Sequence, residues 1–489
     1  MTDAEAFRPE ARAPRGFVDK RARDLGAERA ILQAVSRVYE SWGFEAFDTG
    51  AFEYADALGK FLPDSDRPNE GVFALQDDDE QWMALRYDLT APLARFAAQN
   101  WEGLAKPFRR YAYGPVWRNE KPGPGRFREF VQCDADTVGS ARPEADAEMV
   151  AMAAAGLEAA GLPRGAYVLK INNRKLLDGL LAQAGVVDPR QKLTALRAID
   201  KLDRLGWEGV KDLLGEGRLD ESGAYTKGAG LDVPAREAIG EFIDISTRDA
   251  GVLLALAKLN LGAVGEEGLR ELDLIEDVLD GIGLASDQAR FDPSVVRGLE
   301  YYTGAVFEAE LLLETTDERG EPVRFGSVGG GGRYDDLVAR FTGQSVPATG
   351  FSFGVSRLAA ALRAAGRGAA PDARGPVVVI AFDQARMADY FALAAELRAG
   401  GVPAEVYLGT SGMRAQMKYA DRRLSPAAVI IGEDELAQGV VTIKDLDLGR
   451  ELARGVTDNK EWREGRPGQV TVPRAELLAT VRGILEAAP

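Results

Sequence analysis

The chain has 489 residues, with 60 Lys and Arg against 77 Asp and Glu for a net charge of −17; it contains one cysteine and no histidine. That length usually forms more than one domain, and 46% hydrophobic with 28% charged residues is the composition of soluble globular protein. The empty histidine column excludes Ser-His-Asp and Cys-His catalysis and every histidine-built zinc site, and a lone Cys133 builds neither an all-cysteine zinc site nor an internal disulfide. Any chemistry must come from carboxylates, arginines, tyrosines, backbone groups, a cofactor or the substrate.

Residues 1–20 are charged throughout and lack the apolar stretch of a signal peptide, and no segment has the roughly 18 apolar residues of a membrane span. With a single cysteine this reads as a cytoplasmic protein without a membrane anchor. From Arg21 to Trp42, apolar Leu25, Ile31, Leu32, Val35, Val38 and Tyr39 recur at helical spacing, and Gly43 ends the pattern. Trp82–Tyr87, Phe108–Tyr113, Arg128–Asp136 and Tyr301–Leu311 are rich in aromatic or β-branched residues between Pro- and Gly-containing stretches, as strands of an antiparallel sheet would be. Asp88 and Thr90 in Arg86-Tyr87-Asp88-Leu89-Thr90 share a side if a strand continues there; the alternative is a strand end and helix cap.

Between Trp101 and Arg128, seven basic residues face two acidic ones, a local excess of five in an acidic chain. Within it, Arg118, Lys121, Arg126 and Arg128 surround a Pro/Gly turn that is either a solvated hairpin tip or a phosphate clamp, since guanidinium forks match phosphate oxygens. On the following strand Phe130, Gln132, Asp134 and Asp136 have one parity and so share a face. Taken alone that face defaults to solvent exposure, with the floor of a polar pocket as the alternative.

From about Arg174 to Asp287 the pattern turns helical, as in Arg270–Leu279, with no strand-like run; it reads as a helical insertion in the sheet domain. Gly329 to Gly332 lack the Lys-Ser or Lys-Thr of a phosphate loop and read as a hairpin connection rather than a dinucleotide site. Gly350–Gly354 reads as a strand entering a helix from Val355 to Ala365, with Arg357 in its first turn, where a cation opposes the helix dipole unless an anion neutralises it. A Gly- and Pro-rich linker covers 365–376, and strands at Val377–Phe382, Ala404–Tyr407, Ala427–Ile431 and Val440–Ile443 alternate with helices at Met387–Ala399 and Met413–Arg423, predicting a small α/β domain with a mainly parallel sheet.

The turn at Arg118, Arg-Gly-Leu-Glu-Tyr-Tyr at 297–302, Gly-Gly-Arg-Tyr-Asp at 331–335 and Gly-Phe-Ser-Phe-Gly-Val-Ser-Arg at 350–357 together resemble the histidyl-tRNA synthetases, a class II aminoacyl-tRNA synthetase family. Phe44–Gly50 resembles class II motif 1, Arg118–Gln132 motif 2 and the Gly350 stretch motif 3, while Met413–Leu446 is similar to the family's anticodon-binding domain. The resemblance implies an α+β catalytic domain on an antiparallel sheet (1–173 and 288–364) with a mainly helical insertion (174–287), the linker, and a C-terminal α/β anticodon-binding domain (377–489). It implies ATP-dependent activation of L-histidine and its transfer to tRNA(His), with Mg2+, by a homodimer.

By position, the resemblance gives Arg118, Arg126 and Arg357 to the ATP phosphates and Glu120 to the adenine end. Arg297 would contact the α-phosphate and substrate carboxylate. Asp88, Thr90 and Gln132 would hold the amino group, Asp136 and Tyr302 would read the imidazole, and Tyr301 and Tyr334 would shape its pocket. Arg118, Arg297 and Arg357 are the expected catalytic residues. Gly50 stands where motif 1 usually has Pro, implying a looser turn; Asn119 stands where many relatives have His. Asp88 and Asp136 stand where Glu is frequent, leaving a gap that a bridging water would span. The alternative is a non-catalytic histidine-sensing subunit of ATP phosphoribosyltransferase; such proteins usually lack the Arg-Gly-Leu-Glu motif and the anticodon-binding domain.

Overall fold

A computed structural model describes residues 9–61, 71–123, 127–219, 223–247, 251–296, 302–313, 315–316, 322–323, 325–367, 374–453 and 468–487. The chain divides into two compact units, Met1–Ala369 and Ala370–Pro489. No helix among the described residues is long and apolar enough to cross a membrane.

The first unit is built on an eight-stranded sheet. In chain order its strands are β1 (Glu45–Ala46), β2 (Phe108–Trp117), β3 (Glu129–Val138), β4 (Tyr167–Asn173), β5 (Ala289–Phe291), β6 (Ala305–Leu311), β7 (Ser327–Arg333) and β8 (Ala348–Gly354). Their spatial order is β1-β2-β3-β8-β7-β6-β4-β5. The six inner strands pair antiparallel, and only the edge pairs β1 with β2 and β5 with β4 run parallel. The antiparallel expectation therefore holds for the body of the sheet.

Strand parity sorts the side chains. Tyr111, Cys133, Ala135, Phe351, Phe353, Phe307 and Ile171 enter one large apolar cluster with Val35 and Tyr39 of the helix Ala22–Ser41 and with Met149, Met152 and Leu157 of the helix Pro143–Ala159. The first helix forms as its spacing predicts: it buries Glu28, Ile31, Val35 and Tyr39, one stripe at 3.6 residues per turn. Gly43, at φ +82, then reverses the chain in a conformation that other residues avoid.

The opposite face carries Arg110, Gly114, Gln132, Asp134, Asp136, Gly350, Ser352, Gly354, Gly330 and Gly332, brought side by side by the ladder registers. The glycine run at 329–332 is thus a central strand and not a hairpin connection. Its low strand propensity is overridden by its place between two well-paired neighbours, where side chains from above need the space. A Cβ on Gly332 would lie 2.9 Å from the Tyr302 ring, one on Gly114 would lie 2.3 Å from the Arg86 guanidinium, and one on Gly350 would lie 2.0 Å from the Asp136 carboxylate.

Three further expectations are corrected. Trp82–Leu85 belongs to a separate three-stranded sheet with Phe52–Tyr54 and Ala74–Gln76. The stretch 174–287 folds mainly as helices, from Arg174–Gln183 to Gly262–Gly281, but includes a hairpin of Gly217–Leu219 with Tyr225–Lys227. In the second unit, Val377–Val379 pairs parallel with Ala404–Val406 and Ala427–Ile430, while Val440–Asp445 and the unanticipated strand Gln469–Pro473 add antiparallel pairings, so this sheet is mixed. The two helices expected there follow the sequence reading closely, at Met387–Ala399 and Met413–Arg422. Of the linker 365–376, residues 368–373 lie outside the described residues.

Gly350→Ala should lower stability by about 1–3 kcal/mol through overpacking, whereas Gly281→Ala, where a Cβ meets nothing, should leave the unfolding midpoint nearly unchanged. Urea denaturation of both variants measures the difference.

Candidate active site

The centre of the polar face is an ion pair. Arg110 on β2 stands directly across from Asp136 on β3, with Nη2 2.7 Å from Oδ2. The same nitrogen donates to the Leu89 carbonyl at 2.9 Å, and the Tyr334 hydroxyl donates to Asp136 Oδ1. Arg110 is 0% exposed and Asp136, Asp134 and Gln132 are 3%, 2% and 8% exposed, so the default of solvent exposure is wrong and the face is a buried polar floor. Burial pushes the Asp136 carboxyl above its usual range, while the Arg110 guanidinium and the Tyr334 hydroxyl favour its charged form.

Gln132, at the next-but-one pair along β3, donates from its amide nitrogen to the Ser352 hydroxyl at 2.6 Å. Ser352 lies directly across from Asp134 and hydrogen-bonds its carboxylate. Burial, reinforced by the charge of Asp136, pushes Asp134 up to about 8 against the opposing pull of Arg110 and Ser352. The neutral form of Asp134 is therefore favoured in the fold. It was on the predicted face but was assigned no role, because parity names a face without naming depth.

Asp88 resolves in favour of the cap. Its Oδ1 accepts from the backbone N–H groups of Thr90 and Ala91 at 3.1 and 2.9 Å, and Thr90 opens the helix Thr90–Asn100. Asp88 and Thr90 are thus not alternate residues of one strand. Asp88 nevertheless sits close enough to Asp134 and Asp136 for its charge to raise both carboxyls. The structure brings these three carboxylates together.

At the other end of the face, about 20 Å along β3 from Asp136 at ~3.3 Å per residue, Arg118 forms a stacked platform. Its guanidinium lies 4.3 Å from the Tyr87 ring centroid and 5.0 Å from that of Phe130, and Nε donates to the Tyr87 carbonyl at 3.4 Å. The Tyr87 hydroxyl donates to Glu120 at 3.1 Å, and Arg128 Nε donates to the Glu120 carbonyl at 2.9 Å. Two cations of the local excess are engaged elsewhere: Arg109 pairs with Glu148 at 2.6 Å and Arg110 with Asp136. The positive charge of the 101–128 segment available to a phosphate thus rests on fewer residues than the count suggested.

Arg357 is exposed in the first turn of the helix Val355–Ala364, following directly from β8 as expected. Its neighbour Ser356 donates to buried Glu28 at 2.6 Å and accepts from Val131 N and Lys20 Nζ at 3.1 and 3.2 Å, joining the start of that helix to β3 and the N-terminal segment. Tyr302 packs with Tyr334 and Leu93 in a smaller apolar cluster. Behind Tyr334, Arg333 is fixed by Asp146 at 2.8 Å and by the carbonyls of Ser140 and Arg142, both at 2.9 Å. Burial pushes Asp146 up to about 6 despite Arg333. Arg126, Arg297 and Tyr301 lie outside the described residues.

Arg86 is a positioning residue that the sequence reading missed. Its backbone N–H donates to the Ala51 carbonyl at 2.8 Å, Nη1 donates to the Thr49 carbonyl at 2.9 Å and to Asp48 at 3.3 Å, and Nε donates to the Pro115 carbonyl at 3.0 Å. The turn at Gly50 is pinned on both sides by this arginine instead of by a proline ring. A charge at the end of the apolar run Trp82–Leu85 was the available signal. Among the described residues no three His, Cys, Asp or Glu side chains cluster so as to hold a metal ion.

A model of the histidyl-tRNA synthetase family matches residues 16–358, and one of an anticodon binding domain matches residues 376–483. The chain is 71% identical over 491 residues to the histidine–tRNA ligase of Caulobacter vibrioides, covering 99% of each chain. It is 55% identical over 494 residues to that of Cereibacter sphaeroides, with the same coverage. The crystal structure of histidyl-tRNA synthetase from Nostoc sp. PCC 7120 superimposes with a TM-score of 0.71 at 28% identity, over 97% of this chain and 100% of that one.

The raised Asp134 carboxyl favours its neutral form in the fold. Its stabilising contribution is fully present below about pH 4, the ordinary aspartate range, and is lost as pH rises through about 8. Asp134→Asn should therefore gain stability relative to the parent between pH 5 and 9, read as a difference in urea midpoint that widens with pH; a constant difference would contradict the assignment.

Proposed function

The chain belongs to the histidyl-tRNA synthetase family, and we propose that it activates L-histidine with ATP to histidyl-adenylate and transfers the histidyl group to the 3′-terminal adenosine of tRNA(His). The observation that carries this reading is the buried Asp136 carboxylate, oriented by Arg110 and Tyr334. A carboxylate offers about four acceptor positions and these two partners use two of them, which leaves capacity for an imidazole N–H. The anticodon-binding match at 376–483 favours the ligase over a histidine-sensing subunit.

In this reading the substrate lies along β3. Asp136 and Tyr302 take the imidazole, Tyr301 and Tyr334 wall its pocket, and Asp88, Thr90 and Gln132 take the ammonium. Arg118, stacked between Tyr87 and Phe130, and Arg357 hold the triphosphate with Arg126, while Glu120 faces the adenine. Arg297 bridges the substrate carboxylate and the α-phosphate. A carboxylate oxygen attacks the α-phosphorus, the bond to the bridging oxygen breaks and pyrophosphate leaves. Both reactants are anions, so the work of the arginines is to suppress repulsion, align the attack and stabilise charge on the phosphorus oxygens. A Mg2+ ion brought with the nucleotide would supply further charge neutralisation beside Arg118 and Arg357.

Residues 1–173 and 288–364 form the catalytic domain, 174–287 its insertion and 377–489, after the linker 365–376, the anticodon-binding domain. The protein works in the cytoplasm as a homodimer. Imidazole selection is expected to be stringent because a ligand without ring N–H groups leaves buried polar atoms unsatisfied.

Amino-acid-dependent ATP/pyrophosphate exchange, followed by charging of purified tRNA, tests the activity. L-Histidine alone among the standard amino acids should support exchange. Arg118→Ala should lower its rate by roughly 100-fold or more while the unfolding midpoint stays near that of the parent. Exchange with another amino acid, or none with histidine, would overturn the reading.

A further inference from the structure

We infer that Asp134 is a further substrate-binding residue, a carboxylate that takes an N–H of the histidine ammonium beside Gln132. This deepens the proposed activity and rests on it. The inference starts from an unbroken chain of hydrogen bonds across two strands. The Gln132 amide nitrogen donates to Ser352 Oγ at 2.6 Å, and the Ser352 hydroxyl hydrogen-bonds Asp134. That chain leaves two side-chain oxygens over. Gln132 Oε1 and Asp134 Oδ1 are both buried without a hydrogen-bond partner.

Two buried acceptors on one face of one strand, with a serine bridging them, call for a ligand that brings donors and positive charge. An unmet buried acceptor costs about 1–3 kcal/mol, and more when charged. A primary ammonium supplies three N–H groups and the missing charge. The charges facing Asp134 agree. Asp136 stands on its own strand, Asp88 reaches it from the turn before Thr90, and the opposing cation is Arg110 on the neighbouring strand; Arg110 is already engaged by Asp136. Among the described residues Asp134 and Asp136 face the Arg110 guanidinium while Asp88 adds negative charge, so the site is anionic unless one carboxyl keeps its proton.

That carboxyl is Asp134, which lies directly across from small Ala112 and forms no ion pair among the described residues. When the ammonium binds, Asp134 gives up its proton and its charge is matched by the substrate. Histidine binding near neutral pH thus releases a proton from the protein, and the ammonium is recognised by the exchange of one positive charge for another. An uncharged analogue of the amine gains nothing from this group.

Isothermal titration of the full-length protein in phosphate and in Tris, whose heats of ionisation differ, measures both affinity and protons released. For the parent, L-histidine should release close to one proton at pH 7 and progressively less as pH rises through about 8. Asp134→Asn should abolish the release and weaken L-histidine about tenfold or more, with imidazolelactate, which carries a hydroxyl in place of the ammonium, bound equally by both proteins. If that variant does not fold, Ser352→Ala provides the second reading: histidine affinity should fall and imidazolelactate affinity should not. Parent-like histidine affinity and proton release in Asp134→Asn would overturn the role, as would an equal loss of imidazolelactate, which marks a merely structural group. Failure of the parent to bind L-histidine at all would instead sink the proposed activity.

Discussion

Burying Arg110 against Asp136 in the middle of a sheet is costly, because both ions leave water and their attraction seldom repays more than that loss. The surrounding structure is arranged around the consequence. Gly350 lacks the side chain that would occupy the carboxylate's place, Tyr334 donates to the oxygen that Arg110 does not take, and the Leu89 carbonyl accepts a second N–H of the guanidinium. A well-packed apolar pair of similar volume often serves a fold as well or better. The pair is therefore best understood as orientation: a carboxylate that cannot rotate and a guanidinium that cannot leave.

The same logic extends along the sheet. Its helix-covered face is filled by aromatic and aliphatic side chains, whereas its opposite face alternates polar groups with glycines. Gly114, Gly350 and Gly332 each make room for a side chain lying flat across the strand, respectively Arg86, Asp136 and Tyr302. The proposed site draws on these polar groups at fixed points of a buried face. Function here is written in absent side chains as much as in present ones.

Much of this was legible in the chain. The helix Ala22–Ser41, the parity of Gln132, Asp134 and Asp136, the β8-to-helix passage at Arg357 and the alternation after residue 377 all follow from local periodicity, which a sequence displays directly. What escaped depends on pairing between distant segments. The glycine run looked like a connection because its strand character comes from Phe307 and Phe351 on either side, and Trp82–Leu85 could not reveal which sheet it joins. Burial of the β3 face, the pairing of Arg110 and the pinning of Gly50 by Arg86 are all long-range, so a charge count of the 101–128 segment overstated what faces a phosphate.

The absence of histidine from the chain gives the central claim a clean observable, since any imidazole signal must come from the ligand. The decisive measurement is nitrogen-15 NMR of ring-labelled L-histidine bound to the protein and to Asp136→Asn. A fixed carboxylate acceptor predicts one tautomer with a strongly downfield ring N–H in the parent, and loss of that resonance in the variant. A ring signal averaged as in free histidine, or one unchanged by the substitution, would contradict the account.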